Sequence, residues 1–119
     1  MNEGSKEFLL FRNYHLLVGG QTSPVILRVS PPETLDGKSC CHYSIVGLGY
    51  ALNDVQVFGD GPVQAIFLTL QAVSEKLYSA GKPPGRHVYW KTPGDDLGLP
   101  FPDSIAALVK SRRHPGNHG

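Results

Sequence analysis

A chain of 119 residues holds one domain core and has no room for a second. Eleven Lys plus Arg against ten Asp plus Glu leave a formal charge of +1, which removes the bulk attraction on which nucleic-acid binders rely. With 40% hydrophobic and 18% charged residues the chain is expected to fold, and 14 Gly with 10 Pro predict many turns between short elements.

The longest apolar runs, Phe8 to Phe11 and Ala65 to Leu68, fall far short of the ~18 to 20 residues of a membrane helix, so no membrane association is expected. The opening Met-Asn-Glu-Gly-Ser-Lys-Glu carries both charge signs and lacks the basic region and apolar core of a secretory signal. The two cysteines, Cys40 and Cys41, are sequence neighbours, whereas a disulfide scaffold spaces its cysteines along the chain. A cytoplasmic protein is expected.

In chain order, Phe8 to Val18 predicts a first strand, with Phe8, Leu10, Tyr14 and Leu16 on one alternating face. Gly19 to Ser23 reads as a five-residue turn, and Pro24 starts a second strand in which Val25, Leu27 and Val29 alternate with Ile26, Arg28 and Ser30. Pro31-Pro32 ends it, and Glu33 to Ser39 reads as a loop. A third strand places Cys41, Tyr43 and Ile45 on one face and His42, Ser44 and Val46 on the other, and a fourth covers about Val55 to Phe58.

The period then changes. Val63, Ile66, Phe67, Leu70, Val73 and Leu77 form the apolar stripe of an amphipathic helix from Val63 to Tyr78. Pro62 suits its first position, Gln64 stands where a capping-box acceptor stands, Asp60 is a candidate cap, and Gly81 with Pro83-Pro84 supplies the stop. His87 to Trp90 is a candidate edge strand and Lys91 to Pro102 a surface loop. A shorter helix is expected from an Asp103 or Ser104 N-cap, with Ile105, Leu108 and Val109 inward and Lys110, Arg112 and Arg113 at the favourable end of its dipole. Strands followed by helices predict an α+β fold: a mostly antiparallel sheet of about four strands packed against one long helix, with a shorter C-terminal helix. The ordered core is expected over about residues 7–113, with 114–119 a frayed tail.

No paired carboxylates, triad or metal-ligand cluster falls on a predicted rigid element, so neither a catalytic residue, a cofactor nor a metal is expected. Strand alternation sends Cys40 and His42 to one side and Cys41 to the other, which prevents a single cage, and Pro115 with Gly116 keeps His114 and His118 off a common helix face. Two sets of residues remain. Gly59-Asp60-Gly61-Pro62 sets a turn at a helix N-terminus, where free N–H groups attract anions, so Asp60, Gly61 and Gln64 together with Arg28 and His42 are candidate ligand-binding residues. Arg28 and His42, however, lie opposite the apolar strand faces and therefore look away from the helix. Tyr89, Trp90 and Phe101 form a candidate partner surface if exposed, and pin the loop if buried.

The order of these features resembles a family of small bacterial proteins of unknown function. In that family two or three strands lead to a Cys-x-Tyr-like strand, and Gly-x-Asp-x-x-Gln-Ala then opens a long helix. The matching stretches are Val25 to Val29 with Pro31-Pro32, Cys41-His42-Tyr43-Ser44-Ile45, and Gly59-Asp60-Gly61-Pro62-Val63-Gln64-Ala65. Gly61 stands where the family has Asp, with Asp60 one place earlier. The resemblance covers about residues 8 to 80 and implies a bacterial α+β domain without implying an activity. The expectation is a non-catalytic protein-interaction module, immunity-like or regulatory, monomeric or homodimeric. The alternative is a binder of a small anionic ligand, or a modest enzyme, using the sheet surface and the main helix N-terminus.

Overall fold

The computed structural model describes residues 8–50 and 52–113. Strands β1 (Leu10–Val18), β2 (Gln21–Val29), β3 (Glu33–Leu35), β4 (Lys38–Val46) and β5 (Leu52–Gly59) precede helix α1 (Pro62–Ala80). Strand β6 (Arg86–Tyr89), a 3-10 turn (Asp103–Ile105) and helix α2 (Ala106–Arg113) follow. Every strand pairing is antiparallel, as the α+β expectation requires. The sheet has six strands rather than about four. Among the described residues no helix is long and apolar enough to cross a membrane.

Turn chemistry accounts for the larger sheet. Gly19 (φ 57°) and Gly20 (φ 84°) make a two-residue turn whose left-handed backbone matches strand twist, so Gln21, Thr22 and Ser23 join the ladder instead of forming a long loop. Asp36 (φ 54°) and Gly37 (φ 79°) do the same between β3 and β4, converting part of the expected Glu33–Ser39 loop into a short hairpin arm. β3 lies on the same side of β4 as β2. The two are one ribbon interrupted at Ser30-Pro31-Pro32, and β5 pairs with β4 from the other side.

The core lies between one sheet face and the helical layer. Tyr14, Val25, Leu27, Tyr43 and Ile45 meet Val73, Leu77 and Tyr78 of α1. Leu97, Leu99, Ile105 and Val109 complete that layer, so the segment after β6 belongs to the core rather than to a detached surface loop. Polar ties hold it there. Tyr14 Oη donates to Leu97 O at 2.8 Å, and the Asp95 carboxylate accepts from the N–H groups of Trp90, Lys91 and Thr92 at 3.1, 2.7 and 3.0 Å.

Helix α1 is longer than its apolar spacing predicts and sits rotated about its axis. The buried positions are Ala65, Thr69, Val73, Ser74, Leu77 and Tyr78, whereas Val63 is 78% and Phe67 48% exposed. Close approach at the start of the helix explains the rotation. Gly59 abuts the backbone of Ala65, which favours small side chains on the contact line there. Pro62 occupies the first turn as expected. The N-cap Gly61 carries no side-chain cap; instead Asp60 N donates to Gln64 Oε1 at 2.7 Å, so Gln64 rather than Asp60 supplies the capping carboxamide. At the far end Gly81 has φ −94°, and its small size serves packing, since a β-carbon there would lie 3.1 Å from Val88 N.

The second helix opens through the 3-10 turn with Pro102 at its N-cap, so Asp103 lies in the first turn and neither Asp103 nor Ser104 caps it. The tail with His114 and His118, the opening seven residues, and the side chains of Arg112 and Arg113 lie outside the described residues.

Candidate functional site

Because α1 and the 97–109 segment cover only one face of the sheet, the other face is uncovered among the described residues. Cross-strand register arranges its outward side chains in rows. One row runs Phe11, Arg28, Ser44, and the next places Ser30, His42 and Gln56 together. A third aligns Glu33, Cys40 and Phe58, of which Cys40 is fully buried.

Two serines on this face complete the ladder where the backbone leaves it. At the Pro31-Pro32 interruption His42 N donates to Ser30 Oγ at 2.9 Å. At Asp54, whose φ is 49°, the backbone N–H donates to Ser44 Oγ at 3.0 Å. In both cases the hydroxyl oxygen accepts, which leaves each O–H free to donate outward.

Around these serines Phe8, Arg28, Pro31, Pro32, Glu33, His42, Asp54 and Gln56 enclose a hollow of about 720 Å³. His42 Nε2 and Glu33 Oε2 are 2.9 Å apart. The half-buried Arg28 guanidinium lies 5.6 Å from the centroid of the Phe11 ring. Among the described residues Arg28 has neither a hydrogen-bond nor an ion-pair partner. Farther along the same face His15 stacks on Tyr89 at 4.9 Å, and Tyr89 on His87 at 6.3 Å. His15 Nδ1 donates to Trp90 O at 3.1 Å, while His87 Nε2 accepts from Gly94 N at 2.8 Å.

The chain from Leu10 to Phe101 matches the family model described as a domain of unknown function, DUF6968. The chain belongs to the DUF6968 family. The match spans all six strands, α1 and the loop that closes the core, so every residue lining the hollow except Phe8 lies within the matched stretch. No curated protein and no solved structure matches the chain.

The geometry separates the anticipated ligand residues into two groups. Arg28 and His42 line the hollow, whereas Asp60, Gly61 and Gln64 do not and stand at the start of the helix that covers the opposite face. They cannot converge on one anion, because the sheet lies between them. The anticipated aromatic surface is divided as well. Tyr89 belongs to the uncovered face. Trp90 packs toward the core beneath the Arg12 guanidinium at 4.0 Å, and Phe101 meets Tyr78 edge-on at 6.3 Å.

Ser30, Ser44, Glu33, Asp54, Gln56 and the two phenylalanines are functional candidates that the sequence reading did not single out. Alternation alone places several of them beside Arg28 and His42, but only the register shows which rows they share. Cys40 and Cys41 are free and fully buried. Burial pushes the Cys41 thiol above its ordinary range, with a hydrogen bond to Thr69 acting the other way. Among the described residues no group of three or more His, Cys, Asp or Glu is placed to hold a metal ion.

Proposed function

We propose that this domain is a non-catalytic protein-recognition module whose contact surface is the uncovered face of the sheet. The observation that carries this reading is the set of large apolar side chains exposed on that face. An antiparallel sheet with one face toward water normally turns polar residues outward. Here Phe11 is 53%, Val46 47% and Phe58 43% exposed at outward positions. Leaving such side chains in water has no folding benefit, and each would gain burial if a partner closed over the face. Arg28, held against Phe11, adds a residue type that is enriched where binding energy concentrates in an interface.

The test is capture of a partner by the intact domain compared with a Phe11→Asp/Phe58→Asp variant, both checked for native fold. A protein retained stoichiometrically by the wild type and lost by the variant supports the reading. Equal retention by the variant, or repeated recovery of the bait alone, removes it.

A second reading is favoured by one specific observation: an Arg28 without a hydrogen-bond or ion-pair partner among the described residues, in a hollow whose serine hydroxyls still have protons to donate. On that reading the domain binds a small anion-bearing ligand at Arg28, without a contribution from the helix N-terminus. A volume of about 720 Å³ is that of a small-molecule site.

A further inference from the structure

We propose that the hollow binds a small zwitterion, a molecule carrying a carboxylate at one end and an ammonium group at the other. This rests on the small-ligand reading of the hollow and is independent of protein recognition.

One guanidinium, two carboxylates and one imidazole line the hollow: Arg28, Glu33, Asp54 and His42. Glu33 and His42 already satisfy each other at 2.9 Å. Arg28 and Asp54 do not, and among the described residues neither side chain has a hydrogen-bond or ion-pair partner. Their positions keep them apart. Arg28 is paired with Ser44 across β2 and β4, and Asp54 reaches the same Ser44 from β5 through its backbone N–H. Two strand spacings therefore separate them, about 10 Å between Cα atoms. The Phe11 ring draws the guanidinium toward β1, on the side away from Asp54. A direct ion pair would forfeit that ring contact.

A ligand lying over Ser44 answers both charges at once. Its carboxylate meets Arg28 with Ser30 or Ser44 O–H as a neutral donor, and its ammonium meets the Asp54 carboxylate. Phe8, Pro31 and Pro32 offer apolar surface to the methylene chain between the charges. The same arrangement discriminates. A plain anion brings a like charge toward Asp54, and a plain amine brings one toward Arg28.

The experiment is an amide-resolved NMR titration of the intact domain with 6-aminohexanoate, 4-aminobutanoate, hexanoate and hexylamine. We expect saturable shifts at Arg28, Ser44 and Asp54 with 6-aminohexanoate, and binding roughly tenfold tighter than with hexanoate or hexylamine. Asp54→Asn should lower 6-aminohexanoate to the level of hexanoate while leaving hexanoate unchanged, and Arg28→Ala should abolish both. Equal affinity for hexanoate and the amino acids overturns the zwitterion proposal and leaves the anion reading standing. Absence of shifts with every probe, or shifts elsewhere on the domain, overturns both. The ligand series on the wild type decides the matter even if a variant fails to fold.

Discussion

Gly59 and Ala65 touch backbone to backbone: a β-carbon at Gly59 would lie 2.5 Å from the amide nitrogen of Ala65 and 2.8 Å from its Cα. No side-chain rotation relieves such a contact, because both partners are main chain. Gly59→Ala is therefore expected to lower unfolding stability by about 1–3 kcal/mol, the usual range for overpacking a closed contact. Urea denaturation measures it, and an unchanged midpoint would refute the close approach.

The same contact fixes which side of α1 is inside. Val63→Ser, at a 78% exposed position, is expected to change stability by no more than about 0.5 kcal/mol. Val73→Ala, at a fully buried one, should cost roughly 1–3 kcal/mol. If the apolar spacing of the sequence governed instead, both positions would be costly.

Ser74 Oγ is buried and has no hydrogen-bond partner among the described residues. An unsatisfied hydroxyl in an apolar layer is a net cost, so Ser74→Ala should raise stability, by about 1 kcal/mol. A loss of stability in thermal unfolding would mean that the hydroxyl has a partner after all.

Asp95 gathers three consecutive N–H groups, those of Trp90, Lys91 and Thr92. Asp95→Ala should cost about 1–2 kcal/mol, the scale of a lost cap. Hydrogen exchange at Lys91 and Thr92 should accelerate more than exchange in β1 or β2, which distinguishes local release of the turn from global loss.

Burial raises the Tyr14 phenol above its ordinary value, opposed by its contact with Arg12, and burial raises Tyr43 in the same direction. For a group raised in the folded state, the unfolded chain loses its proton first. Stability is therefore fully present below the unfolded value of about 10 and is lost as pH rises above it toward the folded values. Denaturation midpoints should be level up to about pH 10 on this account and fall beyond it, and Tyr14→Phe/Tyr43→Phe should flatten the fall. Burial raises the Cys41 thiol in the same direction, and neither cysteine has exposed surface, so Cys40 and Cys41 should resist a thiol reagent at neutral pH until the protein is unfolded.

Alternation and turn residues carried most of the architecture in legible form. Val25, Leu27 and Val29 on one face of β2 and Cys41, Tyr43 and Ile45 on one face of β4 are buried as their spacing predicts. β3 was illegible because three exposed residues, Glu33, Thr34 and Leu35, carry no periodic signal; only the backbone of Asp36 and Gly37 places them in a hairpin. The rotation of α1 was hidden for a different reason. Spacing alone makes Val63 and Phe67 as good a contact line as Ala65 and Thr69, and the choice between them depends on a glycine in a neighbouring strand. Of the candidate site, Arg28 and His42 were readable as residues of the uncovered face. Their neighbours were not, because Ser44, Asp54 and Gln56 come from strands whose register no local pattern specifies.

The proline pair at the rim of the hollow has one more implication. Each ring locks its own φ near −65°, and neither residue has an N–H to pair with a neighbouring strand. The break between β2 and β3 is thus covalently stiff, and the Ser30–His42 contacts brace it from one side. A cavity framed this way is preorganised: an incoming molecule meets walls already in place and loses little affinity to ordering them.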